Sequence, residues 1–301
     1  MPRHFRRAPL LLIMALAACS ASSTSPTPNF TLTPLTPAPS TAGPDILPII
    51  VSSEIVPGRN RFLFSITDGE RNLIASPELE VNLELFRPDG AERTKLADVQ
   101  TEFIWAIEGE RGLYVAYPEF PSAGRYGFRF LANRPGEAVM TVLAEFDVAA
   151  EATTPLVGDP AIPSDTPTAD DVDGDLAEIS TDDEPDPEMY EMSVAEAIEA
   201  GEPFVLTFAT PEFCTSRVCG PTLDTVKQVK TDYPDLRFIH VEPFDLSDTS
   251  ELKTMPWIDE WGLPSEPWVF VVDGAGDVAA KFEVIPGEGE LRTAIDEVLG
   301  S

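Results

Sequence analysis

Two stretches whose composition predicts no packed core divide this chain of 301 residues into separate folding segments. Residues 19–44 are dominated by Ser, Thr and Pro, and residues 150–187 by Asp, Glu, Pro and Thr. Neither composition buries enough apolar surface to offset the entropy of ordering a backbone. The first reads as an extended tether and the second as an acidic linker held open by its own charge. What can fold lies at 45–149 and 188–301, and two domains agree with the length. Within the acidic stretch Asp171, Asp173 and Asp175 alternate as at the start of a calcium loop. Leu176 stands where such a loop turns on Gly, and Asp182 where it closes on Glu, so the plain linker is the better reading. The formal net charge of −32 excludes a nucleic-acid binder, which needs clustered Lys and Arg to neutralise phosphates.

Residues 45–149 carry short alternating segments at 61–66, 81–86, 112–117, 124–130 and 139–148, with turn signals such as Asp68-Gly69 and Asp89-Gly90 between them. Period-2 patterning at this spacing predicts an antiparallel β-sandwich. The pattern resembles the immunoglobulin-like domains of bacterial surface proteins. That resemblance implies a spacer or binding module, and no Cys or catalytic cluster falls in the segment.

From 188 onward the period changes. Ser193 and Glu196 form a capping box opening a helix that Gly201 ends. Strands are predicted at 204–208, 237–241, 268–272 and 278–282, the last two joined by a hairpin through Gly274 and Gly276. Helices are predicted at 223–229, before Gly262, and at 290–299. Helix, strand, helix, strand, helix, strand, strand, helix is an α/β layer fold, so the whole is multidomain: an all-β sandwich followed by an α/β domain.

The first residues read as a processing signal. Arg3, Arg6 and Arg7 precede an apolar run at 10–16 that is too short to span a membrane. Leu16-Ala17-Ala18-Cys19 resembles the bacterial lipobox. The resemblance implies that a signal peptide at 1–18 is removed, that Cys19 is lipidated, and that the chain is anchored to a membrane of the cell envelope on its extracytoplasmic side. No other apolar stretch is long enough for a transmembrane helix. With Cys19 so assigned, Cys214 and Cys219 remain as a pair in an oxidising compartment, and a disulfide between them is the default expectation.

The strand at 204–208, the turn from Ala209 through Cys214 and Cys219 to Gly220-Pro221, and Pro264-Ser265-Glu266-Pro267-Trp268 ahead of a strand carry a resemblance to the thioredoxin superfamily. It covers about the last third of the chain. It implies a redox cysteine pair where a central strand passes into its helix, and a cis-proline facing that pair. Pro267 fits that role better than Pro264, because it directly precedes the apolar run at 268–272. A Cys at a helix N-terminus feels the positive end of the dipole, which stabilises a thiolate, and a neighbouring Cys resolves the mixed disulfide. Here four residues separate the cysteines where the family has two, and Thr222 stands where a second Cys would follow Gly220-Pro221. Five steps on an ideal helix separate Cα atoms by about 8–9 Å, beyond the ~7 Å limit for a bridge. Cys214 therefore belongs in the loop before the helix. It is the expected attacking thiol and Cys219 the resolver, with the reverse left open because Cys219 could lie nearer the dipole. Arg217 between them is placed to stabilise either thiolate. The backbone at Glu266 and Pro267 would pair with an incoming chain.

The resulting expectation is a membrane-anchored thiol-disulfide oxidoreductase, using no cofactor, whose partners are exported proteins carrying thiols or disulfides. The alternative is a non-catalytic surface scaffold in which Cys214–Cys219 is a structural disulfide. His240 is the one histidine outside the signal segment, which argues against a His-rich metal site or a Ser-His-Asp triad. Sco-like copper chaperones hold copper with two Cys and a His. They place three residues between the cysteines and the His near the strand after the cis-proline, whereas His240 is on another strand, so a packed strand histidine is the simpler reading. Trp257, Trp261 and Trp268 read as core residues, or alternatively as a hydrophobic rim around the redox pair.

Overall fold

The computed structural model describes residues 46–300. The expected signal peptide, the lipidation site Cys19 and the tether at 19–44 lie outside the described residues. The described chain is mostly β-sheet with few helices, and none of those helices is long and apolar enough to cross a membrane.

The N-terminal part comprises β1 (Ile46–Ile50), β2 (Gly58–Arg59), β3 (Phe62–Asp68), β4 (Glu80–Asp89), β5 (Glu92–Val99), β6 (Thr101–Ile107), β7 (Arg111–Ala116), β8 (Glu119–Phe120), β9 (Gly124–Asn133) and β10 (Met140–Val148). Two antiparallel sheets, ordered β1-β3-β7-β6 and β10-β9-β4-β5, enclose one core, and β2 pairs with β8 apart from them. The pleat explains the core. Along β4, Val81, Leu83 and Leu85 point inward while Glu80 and Asn82 stay exposed. From the facing sheets Phe62 meets Phe128 at 4.9 Å between ring centres, and Phe64 meets Phe130 at 5.1 Å edge-on. Strands β1, β5 and β6 have no counterpart among the segments that the alternation predicts. Strand β5 is a polar edge strand, exposed along nearly all its length, so it carries no apolar alternation to detect. The chain then crosses from one sheet to the other at Gln100.

Strand β3 is buried on both faces. Phe62, Phe64 and Ile66 enter the sandwich core, whereas Leu63 joins Ala106, Leu113 and Val115 on the outer face, against Val218 and Ile285 of the C-terminal part. The sandwich is therefore docked on the C-terminal part through this outer face.

The C-terminal part contains α1 (Val194–Ala200), β11 (Phe204–Phe208), α2 (Cys219–Lys230), β12 (Arg237–Val241), α3 (Pro256–Glu260), β13 (Trp268–Val272), β14 (Val278–Glu283) and α4 (Glu288–Leu299). Its sheet runs β12-β11-β13-β14, with β11 parallel to β12 and antiparallel to β13, and β13 antiparallel to β14. Phe204, Leu206 and Phe208 face α1 and α3 together with Trp257, Trp261 and Phe270. Val205, Val269 and Val271 face α2 and α4 through Leu223, Val226, Leu291 and Ile295. Strands covered on both faces read as unbroken apolar runs. Trp257, Trp261 and Trp268 are all buried, so they form core and not a rim.

Residues 150–187 depart from the expected open linker. Thr153 and Thr154 donate to the Glu54 carboxylate, and the segment then pairs with the edge of β14, where Gly158 N–H donates to Val278 O and Val278 N–H to Asp159 O. Ala161 enters the core on the α1–α3 side, and Ser164 accepts from Trp261 Nε1 at 3.1 Å. Short 3₁₀ turns at Ala169–Val172 and Leu176–Glu178 then carry Ile179 into the core on the α2–α4 side. Two features outweigh the segment's charge. Its few apolar residues are spaced to reach both cores, and Lys227 and Lys230 of α2 pair with Asp182, Asp186 and Glu188. Asp171 and Asp175 spend their carboxylates on local backbone amides.

Candidate functional site

Strand β11 ends at Phe208, and the chain turns through Ala209 and Thr210, both fully buried, before reaching Cys214. The amide of Arg217 donates back to Cys214 O at 3.0 Å, closing a turn that holds Arg217 at φ 62°. Val218 caps α2, whose first residue is Cys219. Cys214 and Cys219 are joined as a disulfide with their Cα atoms 6.0 Å apart. Cys214 is thus in the loop and Cys219 in the first turn. Cys219 N–H, one of the unpaired donors at the helix start, donates to Cys214 Sγ at 3.3 Å, and Ser216 Oγ lies 3.1 Å from the same sulfur. Cys214 is 7% exposed and Cys219 not at all.

Opposite the sulfurs is the segment before β13. The Glu266–Pro267 peptide is cis, Pro267 is buried and Pro264 exposed. The Glu266 carboxylate reaches the disulfide: one of its oxygens and both Sγ atoms lie within 4.8 Å of one another. Burial pushes this carboxyl up from its ordinary value, and its own backbone amide is the one group that opposes the shift. Among the described residues Glu266 makes no ion pair. The sequence does not single it out as a side chain, because a lone Glu beside a proline carries no pattern.

Beneath the loop, Glu242 is buried with Thr181 donating to it through N–H at 3.1 Å and Oγ1 at 2.7 Å. Burial raises this carboxyl as well. His240 is fully enclosed on β12. Its Nε2–H donates to Ala209 O at 2.9 Å, and Nδ1 lies 2.6 Å from the Tyr190 hydroxyl, which lies 2.9 Å from Ser180 Oγ. Burial pulls His240 down to about 4, so the ring is neutral at physiological pH. With both ring nitrogens committed, no Cys-Cys-His copper set is assembled here.

The sandwich supplies the remaining wall. Arg111 Nη1 donates to Ser216 O, between the two cysteines, and Glu110 pairs with Arg217 at 2.8 Å. Arg217 is thereby turned towards the β6–β7 turn, correcting its expected service to a thiolate. Val218 is held in the apolar cluster of Leu63, Leu113 and Val115. Thr222, in place of a nearer cysteine, shares its hydroxyl proton between Val218 O at 2.7 Å and Val284 O at 2.8 Å, tying α2 to the end of the β14 strand.

No protein-family model and no curated protein matches this chain. Among solved structures, a thiol:disulfide interchange protein of the thioredoxin family from Chlorobium tepidum TLS is similar at 16% identity. That likeness covers 50% of this chain and all of the other, with a TM-score of 0.30. MtrC from Shewanella baltica OS185 is similar at 14% identity over 35% of this chain and 22% of its own, with a TM-score of 0.25. Likenesses this slight leave the function to the geometry of the site.

Proposed function

We propose that this chain is an extracytoplasmic thiol-disulfide oxidoreductase, lipid-anchored through Cys19. In this reading an immunoglobulin-like sandwich is docked on a thioredoxin-like domain, and the substrates are exported proteins. The carrying observation is the hydrogen bond from Cys219 N–H to Cys214 Sγ. It puts the Cys214 sulfur, and not that of Cys219, in front of the start of α2, where the helix dipole stabilises negative charge. Cys214 is also the more accessible of the two. In the dithiol state its thiolate attacks a substrate disulfide and expels one substrate thiolate. Cys219 then attacks the Cys214 sulfur, restoring the internal disulfide and expelling the second. The cis Glu266–Pro267 peptide offers backbone beside the sulfurs on which an extended substrate can pair.

A second reading has its own support. Near-complete burial of both cysteines, under a loop clasped by Arg111 and Glu110, suits a structural disulfide in a binding scaffold. Trapping separates the two readings. A Cys219→Ser chain incubated with an oxidised protein substrate should accumulate a mixed disulfide at Cys214, and Cys214→Ser should accumulate none. Failure of Cys219→Ser to trap any substrate would favour the scaffold.

A further inference from the structure

Around the disulfide a carboxylate has been brought to two sulfurs and given no cation. Glu266 is half-buried, makes no ion pair among the described residues, and lies with both Sγ atoms inside a 4.8 Å circle. The nearest cation along the loop, Arg217, is drawn off to Glu110. Reduction would place two thiols beside that carboxylate in a nearly closed site, where the start of α2 and the Arg111 guanidinium on Ser216 O favour their ionisation. We infer that the reduced form of this site is a binding site for a thiophilic divalent cation such as Zn²⁺, held by Cys214 Sγ, Cys219 Sγ and Glu266.

The donor set fits the ion. Zinc takes thiolate sulfur at about 2.3 Å and carboxylate oxygen at about 2.0–2.2 Å, and tetrahedral bonds of that length put two sulfurs roughly 3.8 Å apart. The 6.0 Å Cα separation sits inside a turn that already brings the sulfurs together, so opening the bond requires only a small parting. Three protein ligands leave a fourth position for water or a substrate thiolate. A hard cation such as Mg²⁺ is disfavoured by the two sulfurs. Occupancy is gated by redox state. An external dithiol delivers two electrons and two protons to the disulfide, becoming a disulfide itself. Zn²⁺ then displaces the two thiol protons and closes on the carboxylate. The oxidised protein offers only the carboxylate and binds no metal here.

This inference shares with the proposed function the premise that the disulfide can be reduced, but the two fail separately. The test uses the full-length chain, reduced anaerobically with a phosphine that is then removed. Zn²⁺ is titrated with uptake counted by elemental analysis, and Cd²⁺ is used for its thiolate charge-transfer absorbance. One Zn²⁺ per reduced chain is expected, with two protons released and a two-thiolate cadmium band, and none of these in the oxidised chain. Glu266→Gln should weaken binding by about 100-fold or more, beyond the 10–100-fold typical of losing a supporting group. Glu266→Asp should recover part of the loss, and Cys219→Ser should abolish the two-thiolate band. Uptake that survives oxidation or Cys219→Ser would belong to the acidic surface and overturn the inference. So would a reduced chain that exchanges disulfides yet binds no Zn²⁺. A bond that no reductant opens overturns both proposals.

Discussion

Arg61 and Glu290 face each other across the seam between sandwich and C-terminal part with two parallel hydrogen bonds, Nε to Oε1 at 2.7 Å and Nη2 to Oε2 at 2.8 Å. The same guanidinium donates to Glu283 O and Ile285 O. Burial works against the Glu290 charge, but Arg61, with the Tyr117 hydroxyl and the Gly287 amide, outweighs it and holds the carboxyl below its ordinary value. Both side chains are largely enclosed, so removing one strands the other. Arg61→Ala is expected to cost about 3 kcal/mol in chemical denaturation of the full chain. Arg61→Ala combined with Glu290→Gln should recover part of that. A loss below about 0.5 kcal/mol would mean that the pair behaves as a screened surface bridge.

The clasp on the cysteine loop makes a kinetic prediction. Arg111→Ala removes the charged donor to Ser216 O, a bond worth about 1.5–3 kcal/mol, so opening of the disulfide by dithiothreitol should accelerate about tenfold. Glu110→Ala breaks an ion pair that is exposed on both sides and should change the rate little. Equal rates for the two variants would remove the Arg111 contact from control of access.

His240 gives a pH signature. Its folded value of about 4 lies below the ordinary value of 6.5, so the unfolded chain takes up the proton first as pH falls. Stability from this group is complete above pH 6.5 and is lost between 6.5 and about 4, by roughly 3 kcal/mol in total. Glu242 and Glu283, raised by burial, work in the opposite direction at acid pH, so the test is a difference. Subtracting the pH–stability curve of His240→Gln from that of the parent chain should isolate this slope. A flat difference would contradict the buried neutral imidazole.

The segment at 150–187 can be tested through one side chain. Ile179 lies in the core beside Val205 and Leu223. Ile179→Ala should cost about 2 kcal/mol or more, at the lower end for a core truncation. A free linker would give no loss.

How far the fold can be read from the sequence depends on how each element is buried. Strands β3, β4, β9 and β10 and the run from α1 to α4 carry strong periodicity or caps, and each lies close to where its pattern predicts it. Strand β5 shows nothing inward along most of its length, and β1 is a short edge strand whose five residues include Pro48, so neither leaves a pattern to read. The acidic segment misleads for a different reason. Composition averages over residues, whereas Ala161, Ile179 and the hydroxyls of Ser164 and Thr166 act one at a time at fixed positions. At the site, the resemblance sets the pair at a strand-to-helix turn, and the spacing then puts Cys214 in the loop before the helix. Glu266 as a side chain, Arg111 and Glu110 cannot be found that way, because what brings Glu266 to the sulfurs and the other two to the cysteine loop is a strand order and a docked sheet face, neither of which has a local signature.

Whether Cys214–Cys219 is a working redox couple is the central question, and the reduction potential of the full-length chain measures it directly. Equilibrated against graded dithiothreitol or glutathione buffers and read by thiol trapping, the couple is predicted to lie above about −300 mV. A potential below that value would mark a structural bridge and contradict the oxidoreductase.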